Sequence, residues 1–423
     1  MGDASLTSPY ASFIDHFCPS MGPYEDLYKH LHQNPELSNQ EKQTAATIES
    51  RLRKLSPDLE VKTNIGGYGI IAVLRNGPGT TILLRADFDA LPVLEKTGLP
   101  YASKATQVDE RDGWTKPVMH ACGHDFHVTA LLACCETLLA SRDHWAGTVI
   151  FLFQPAEERG SGAQAMISDG LYDSKRHNCP IPDVVLGQHV FPVRQGSLCT
   201  KTGTAMSAAD SLKITIHGRG GHGSMPHRTI DLLLSPPQSC FVSRRFIQAG
   251  DAENVIPFEA VIKCNTRTVT NRTREKVRKA IERIVKAECV AGGCEREPDF
   301  EVISSFPLTV NDADIVEKLS AGMEAHFGER YNKEMQFALG SEDFSLLASS
   351  VDRPYCFWFF GGIEGKEWDE LAEKDKLDLV PTNHSPFFAP VLQPTLKTGV
   401  EALVVASLTY LGKEGSGVVK GKI

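Results

Sequence analysis

The chain lacks the features that would assign it to several special classes of protein. No apolar run approaches the roughly 20 residues needed to cross a bilayer. Basic residues are not in excess, because 44 Lys and Arg stand against 53 Asp and Glu. Nucleic acids and anionic membranes both favour a basic face, so we expect neither as a partner. The eleven cysteines have no regular spacing, and the first 20 residues lack the basic start and apolar core of a secretory signal. A reduced, cytoplasmic location is therefore expected.

A length of 423 residues, 41% of them hydrophobic, predicts two globular domains. Buried strands and amphipathic helices in the first and last parts of the chain predict an α/β domain. From about residue 207 the pattern changes to half-exposed strands and one charged helix, which predicts a smaller α+β insert. We expect the main domain to span 1–206 and 319–423, with the insert over 207–318.

Two local patterns predict structure near the start of the chain. Ser38 and Glu41 have the spacing of a capping box ahead of a helix. The apolar stretches 70–74 and 81–85 flank the turn sequence NGPG at 76–79, which predicts a hairpin followed by a buried strand.

The stretch MHACGHDFHV, residues 119–128, holds one thiol and three imidazoles. Cys122 and His124 are two residues apart, so one loop could present both to a metal ion, and these are the ligand types that zinc prefers. Asp125 could hydrogen-bond a ligating ring. The plainer alternative is that these residues only pack in a core.

Other metal-binding side chains fall at the ends of predicted strands. In open α/β sheets the carboxyl ends of the strands are where sites form. The neighbours Glu157 and Glu158 follow the apolar strand TVIFLF, and adjacent carboxylates repel unless a cation lies beside them. Similar positions are held by Asp87, Asp89, His189 and, in a loop near the end, His384.

Eight motifs follow one another along the chain: LRADFDALP, MHACGHDFH, FQPAEE, GQHVFP, GGHGSMPH, ENVIP, GSEDFS and NHSPFF. Taken in this order they resemble the metal-dependent aminoacylase/carboxypeptidase amidohydrolases. The branch they resemble most contains hippurate hydrolase, the indole-acetyl-amino-acid hydrolases and N-acetyl-diaminopimelate deacetylase. The resemblance covers residues 24–411 and implies a mixed-sheet hydrolase domain with helices on both faces, plus an inserted lid of the dimerisation type.

The resemblance also implies roles for individual residues. Glu157 is expected to act as general base, and His222 to reach the substrate carbonyl from the lid of a partner subunit. Asn254 and Arg267 are expected to bind the free carboxylate of the substrate. Asp87 and Asp89 are expected to hold the ligands in place by hydrogen bonds, and His120 and His127 to be structural or to support the ligands in the same way. Two divalent ions, zinc or manganese, are expected on Cys122, His124, Glu158, His189 and His384.

These roles predict hydrolysis of N-acyl amino acids to a carboxylate and a free amino acid. Two alternatives stay open: a dipeptidase or aminopeptidase on the same scaffold, and an inactive relative. The second alternative rests on residues 228–253, which are shorter than in the family. We expect the lid to lack one edge strand and its covering helix there, through a deletion or a gene-model error. The shortened segment argues against the homodimer that is usual in the family.

Overall fold

A computed structural model describes residues 8–222, 243–250 and 254–413. The chain divides into two compact units. The large unit contains Met1–Ala205, Val310–Phe337 and Asp343–Ile423, and the small unit contains Met206–Thr309 and Ala338–Glu342. The roles of these units as catalytic domain and lid stay predictions, as do the predicted boundaries at 206/207 and 318/319.

The described helices and strands are numbered separately, each in chain order. The helices are α1 Pro9–Phe17, α2 Gly22–Gln33, α3 Lys42–Leu55, α4 His124–Ala140, α5 Gly162–Ser168, α6 Asn271–Ala291, α7 Ala313–Phe327, α8 Ser345–Ser349, α9 Gly365–Glu373 and α10 Leu392–Leu411. The strands are β1 Glu60–Ile65, β2 Gly69–Asn76, β3 Thr81–Asp87, β4 Thr106–Asp109, β5 Trp114–Pro117, β6 Gly147–Gln154, β7 Val184–Arg194, β8 Leu198–Cys199, β9 Gly203–Met206, β10 Ala208–His217, β11 Gly221–His222, β12 Ser243–Ala249, β13 Val255–Ile256, β14 Glu259–Thr268, β15 Asp299–Phe306, β16 Thr309–Asn311, β17 Tyr331–Asn332 and β18 Tyr355–Ile363.

The large unit is built on a mixed eight-stranded sheet in the order β1-β2-β6-β3-β7-β18-β8-β17. Strands β6, β3, β7 and β18 are parallel, while β1, β2 and β6 pair antiparallel. Every residue of β6 is buried, so both faces of the sheet are covered there. This mixed α/β architecture confirms the predicted fold class. The four parallel strands bring their carboxyl ends to one edge, which is where the polar side chains collect.

The small unit contains an antiparallel four-stranded sheet in the order β12-β14-β10-β15. Residues alternate along β14 between buried and more exposed positions, as expected for a sheet covered on one face. The covered face packs on α6 through Ile281, Val285 and Cys289.

The predicted hairpin is wrong. Strands β2 and β3 are joined by the NGPG turn, but β6 lies between them and pairs with both. Both strands are apolar on two faces, which suits interior positions that have a neighbour on each side. The turn therefore carries the chain across β6 instead of closing a two-stranded ribbon.

The expectation of a missing edge strand is also wrong. Ser243–Ala249 forms β12, which pairs with β14 at the edge of the small-unit sheet. The expected loss of a covering helix concerns residues 223–242, which lie outside the described ones. None of the described helices has both the length and the continuous apolar composition of a membrane span.

Candidate metal centre

The Cys122–His124 turn forms the start of α4. Gly123 precedes the helix in the left-handed region, with φ of 81°. A Cβ at this position would lie 2.3 Å from Cγ1 of Val190 on β7, so only glycine fits between helix and strand. This close approach places Cys122 and His124 against β7.

The Glu157–Glu158 pair follows β6 in a short 3₁₀ turn, Glu157–Arg159. The carboxylate of Asp89, which follows the end of β3 by two residues, fixes this turn. It accepts hydrogen bonds from the backbone N–H of Glu157 at 3.1 Å and of Glu158 at 3.0 Å. Asp89 thus holds the backbone of both glutamates in this turn.

Three predicted ligands come together at this point. Cys122, His124 and Glu158 each offer a ligand atom within 4.8 Å of the other two. Nε2 of His124 lies 3.8 Å from Oε1 of Glu158. Both atoms are buried, and neither has a hydrogen-bond partner among the described residues. Buried polar atoms are rarely left this way, so thiol, imidazole and carboxylate fit a divalent metal ion.

Hydrogen bonds set the ring of His124 for such a role. Its Nδ1 donates to the backbone oxygen of Asp89 at 2.9 Å. Nε2 is therefore the nitrogen that faces the site, 3.5 Å from Oδ2 of Asp87 and 3.8 Å from Oε1 of Glu158. Although burial opposes it, Asp87, Asp89 and Glu158 raise the pKa of His124 to about 10, so a metal ion that binds this nitrogen displaces a proton. This arrangement, with the second nitrogen bound to a carbonyl, is typical of metal-ligating histidines.

His189, on β7, has the same kind of arrangement. Its Nδ1 donates to the oxygen of Val190 at 2.7 Å, and its Nε2 lies 3.4 Å from Sγ of Cys122. Burial, helped by the nearby His127, lowers the pKa of His189 well below its ordinary value. The ring is therefore neutral at pH 7, which is the form that binds metals.

His384 lies near the second carboxylate oxygen of Glu158. Its Nε2 lies 3.3 Å from Oε2 of Glu158, and its side chain is 56% exposed. The backbone takes a φ of 72°, and its N–H donates to the oxygen of Ala121 at 2.8 Å. That bond ties the loop to the residue before Cys122. The five predicted ligands therefore form one connected group around Glu158 and Cys122.

A competing group of four residues, Asp87, His124, His127 and His189, also has ligand atoms within 4.8 Å of one another. Hydrogen bonds argue against His127 as a ligand. Its Nδ1 donates to Asp87 at 2.5 Å, and its Nε2 accepts the N–H of Val190 at 2.9 Å. Both ring nitrogens are hydrogen-bonded, which leaves neither for a metal ion. His127 therefore connects Asp87 to the strand that carries His189.

The thiol of Cys122 lies among negative groups. Burial, together with Glu158, Glu157 and Asp87, raises the pKa of Cys122 well above its ordinary value. A thiol in such surroundings stays protonated unless a cation is present, and a bound metal ion reverses this because it attracts the thiolate.

Asp125 has a different role from the one predicted. Its carboxylate accepts a hydrogen bond from Nδ1 of His32 at 2.7 Å and from the N–H of Phe126 at 3.0 Å. His32 also bonds Glu95 at 3.2 Å. In the described part of the chain Asp125 is not bonded to a ligand ring, so it ties α4 to α2.

The sequence analysis missed a buried ionic network behind the site. The guanidinium of Arg85 donates to Asp87 at 2.8 Å and to Gln154 at 3.0 Å, and lies 3.4 Å from Asp343. Although burial opposes it, the charge of Arg85 holds the pKa of Asp87 well below its ordinary value. Asp343 also accepts from Gln154 at 2.6 Å and from the N–H of Ala163 at 3.0 Å. Three of the quoted motifs carried the signal: LRADFDALP contains Arg85 and Asp87, FQPAEE contains Gln154, and GSEDFS contains Asp343.

The remaining predicted residues belong to the small unit. The backbone of His222 lies in β11, but its side chain is outside the description. Asn254 is exposed in the turn before β13. The guanidinium of Arg267 donates to Ser341 Oγ at 2.8 Å and to the oxygen of Leu339 at 3.0 Å. The roles of these three residues stay predictions.

Comparisons with known proteins agree with this chemistry. The model of peptidase family M20/M25/M40 matches residues 83–379. Hippurate hydrolase from Campylobacter jejuni is 34% identical over 357 residues, which cover 79% of this chain and 88% of that protein. Thermostable carboxypeptidase 2 from Saccharolobus solfataricus is 31% identical over 409 residues, covering 92% and 95%.

A solved structure is similar over nearly the whole chain. It is the Bacillus subtilis YXEP protein, described as a dinuclear metal binding peptidase from the M20 family. The TM-score is 0.68 at 28% identity, and the match covers 92% of this chain and 98% of that one.

Proposed function

This chain belongs to the peptidase family M20/M25/M40, and from that premise we propose that it hydrolyses the amide bond of N-acyl amino acids. It is a metal-dependent amidohydrolase by its family and its relatives. One observation carries the proposal for this site: Cys122, His124 and Glu158 converge with two buried ligand atoms left without hydrogen bonds among the described residues.

The proposed ligands of two divalent ions are Cys122, His124, Glu158, His189 and His384. The thiol favours zinc over manganese, since soft ligands bind zinc well. When bound, such ions polarise the amide carbonyl and lower the pKa of water toward neutrality. The chain itself supplies the geometry, because Asp89 fixes Glu158 through its backbone and His124 through its ring.

Glu157 is the proposed general base and acid. It is 5% exposed and next to a ligand in the chain, and its backbone N–H is held by Asp89. Its carboxylate would take a proton from the attacking water and pass it to the amide nitrogen, so that the amine can leave. Amide hydrolysis needs both transfers, and one positioned carboxylate can perform them in turn.

The small unit supplies the proposed substrate contacts. His222, reaching in from the small unit of a second copy of the chain, would donate to the developing oxyanion, and Asn254 and Arg267 would bind the free carboxylate. The planar guanidinium of Arg267 suits a carboxylate because it can form two parallel hydrogen bonds. A preference for acyl amino acids over simple amides follows from that contact.

The similarity to thermostable carboxypeptidase 2 favours peptide bonds as a second candidate substrate. The proposal of an inactive relative is weakened by β12, which supplies the strand it assumed to be missing.

We also propose a cytoplasmic location, from the irregular cysteine spacing. The proposed role of His222 requires a homodimer, which size-exclusion chromatography with light scattering tests.

The main test is the release of free amine by metal-loaded protein. The panel contains N-benzoyl-glycine, N-acetyl amino acids, dipeptides and simple acyl amides, each with and without a chelator. We expect chelator-sensitive release from the N-acyl amino acids. Release from none of the substrates would contradict the proposal, and faster release from dipeptides would favour the second candidate.

Replacing Glu157 separates proton transfer from metal binding. We expect Glu157→Gln to lower kcat by about a thousandfold, because proton transfer by a positioned group contributes on this scale. Metal content, measured by mass spectrometry, should be unchanged. Loss of metal together with activity would show that Glu157 is a ligand.

A further inference from the structure

The Ser38–Glu41 pattern does not cap a helix. Helix α3 begins at Lys42, and Glu41 makes no capping bond to it with its side chain. Glu36 caps the helix instead, accepting the N–H of Thr44 at 2.8 Å and of Gln43 at 3.1 Å. Ser38 and Glu41 are therefore available for another role.

Both side chains turn toward the candidate metal centre. The hydroxyl of Ser38 donates to Asp89 at 2.6 Å. The carboxyl group of Glu41 is fully buried, and its Oε1 accepts the N–H of Ala156 at 2.8 Å and of Asn39 at 2.8 Å. Ala156 directly precedes Glu157, so Glu41 touches the backbone of the segment that carries the proposed base.

The backbone of Ala156 needs to be held. Its φ of 51° and ψ of 38° lie in the left-handed region, which a residue with a Cβ adopts only when its surroundings enforce it. This conformation turns the chain from β6 into the Glu157–Arg159 turn. The hydrogen bond from Ala156 to Glu41 fixes the turn at its first residue.

Three successive backbone N–H groups are thus bound by two carboxyl groups. Glu41 accepts from Ala156, and Asp89 accepts from Glu157 and Glu158. Ser38 in turn holds Asp89. Resting on the proposed function, we propose that Glu41 is a positioning residue for Glu157 and Glu158, acting through Ala156 from a segment 115 residues away in the sequence.

The charge state of Glu41 determines whether glutamine can replace it without loss of its interactions. Burial, with the negative charge of Asp89, raises the pKa of Glu41 to about 8. Its Oε2 is buried without a hydrogen-bond partner in the described part of the chain, where a neutral group is less costly than a charge. Near pH 7 the carboxyl group is therefore mostly neutral, and glutamine keeps its size, its acceptor oxygen and its charge.

The test compares Glu41→Ala and Glu41→Gln with the control Glu36→Ala. Glu41→Ala removes the acceptor, so we expect kcat to fall at least tenfold with KM within twofold of wild type. Zinc affinity, measured by chelator competition, should fall about tenfold as well, because residues that support ligands typically contribute on this scale. Glu41→Gln should restore most of both values.

Glu36→Ala supplies the matched control, since it removes a carboxyl group that caps the same helix and bonds none of the proposed ligands. It should lower the melting temperature while leaving kcat and zinc affinity within twofold. Unchanged kcat and zinc affinity in Glu41→Ala would overturn the inference, and so would equal losses in Glu36→Ala. If wild type released no amine, the proposed function would fail, while chelator competition would still test the positioning of Glu158.

Discussion

The two largest sheets among the described residues differ in how deeply their strands are buried. In the large unit all eight residues of β6 are buried. In the small unit no residue of β15 is buried, and Val302 and Ile303 are 59% and 49% exposed. A strand enclosed on both faces cannot shift without disturbing its neighbours. Strand β6 is therefore held more firmly than the edge strand β15, and β6 leads directly to Glu157 and Glu158.

The same contrast holds for charged groups. Arg85, Asp87 and Asp343 have no exposed side-chain surface, and they lie behind the site. In the small unit, Lys213 and Glu301 form an ion pair that is 37% and 63% exposed. Buried charges are strongly coupled to their partners, whereas exposed pairs contribute little. A matched removal of one partner in each unit tests this contrast.

The largest effect is expected for Arg85→Met. The change leaves two buried carboxylates without their cation, which should cost about 5 kcal/mol of unfolding free energy. Lys213→Met should cost less than about 1 kcal/mol. Urea denaturation followed by tryptophan fluorescence measures the first, because all four tryptophans lie in the large unit. Far-UV circular dichroism measures the second. Equal losses of unfolding free energy in Arg85→Met and Lys213→Met would contradict the contrast between buried and exposed charges.

Core truncation should show the same difference for apolar residues. Phe151 in β6 is fully buried, so Phe151→Ala should cost about 4 kcal/mol, through lost burial and the cavity left behind. Ile303→Ala, in the exposed part of β15, should change stability by about 0.5 kcal/mol or less. The same two denaturation measurements apply. A large cost at Ile303 would mean that the exposed face is covered in solution.

Much of this architecture could be predicted from local pattern. The charged helix predicted for the insert is α6, Asn271–Ala291, and the apolar run TVIFLF lies within β6. The position of Glu157 and Glu158 just after a buried strand also followed from the sequence. Each of these rests on the period of apolar residues within one short stretch.

The rest depended on partners that are far apart in the sequence. The order β2-β6-β3 could not be read from the NGPG turn, because the inserted strand comes some sixty residues later in the chain. Arg85 and Asp343 are separated by 258 residues. Ser38 and Glu41 have the spacing of a capping box whether their side chains bind α3 or Asp89 and Ala156. Local spacing is the same in both cases, and only the tertiary fold decides.

The smallest of the three expected stability effects, after Arg85→Met and Phe151→Ala, concerns His32 and depends on pH. Hydrogen bonds to Asp125 and Glu95 outweigh burial and raise the pKa of His32 to about 9, against an ordinary 6.5. A raised pKa in the folded state stabilises the fold below the unfolded value, and this contribution is lost as pH rises through the folded value. The stability difference between wild type and His32→Gln should therefore shrink by about 3 kcal/mol between pH 6 and pH 9.5.

The control for His32 is His217→Gln in the small unit, where His217 bonds Asp299, whose side chain is 56% exposed. An exposed pair of this kind should contribute less than about 1 kcal/mol at either pH. Urea midpoints measured across the pH series separate the two variants. A pH-independent difference for His32→Gln would mean that the ring is neutral in the fold, and that Asp125 and Glu95 do not hold it as a cation. In that case the contrast between buried and exposed charges would rest on Arg85 alone.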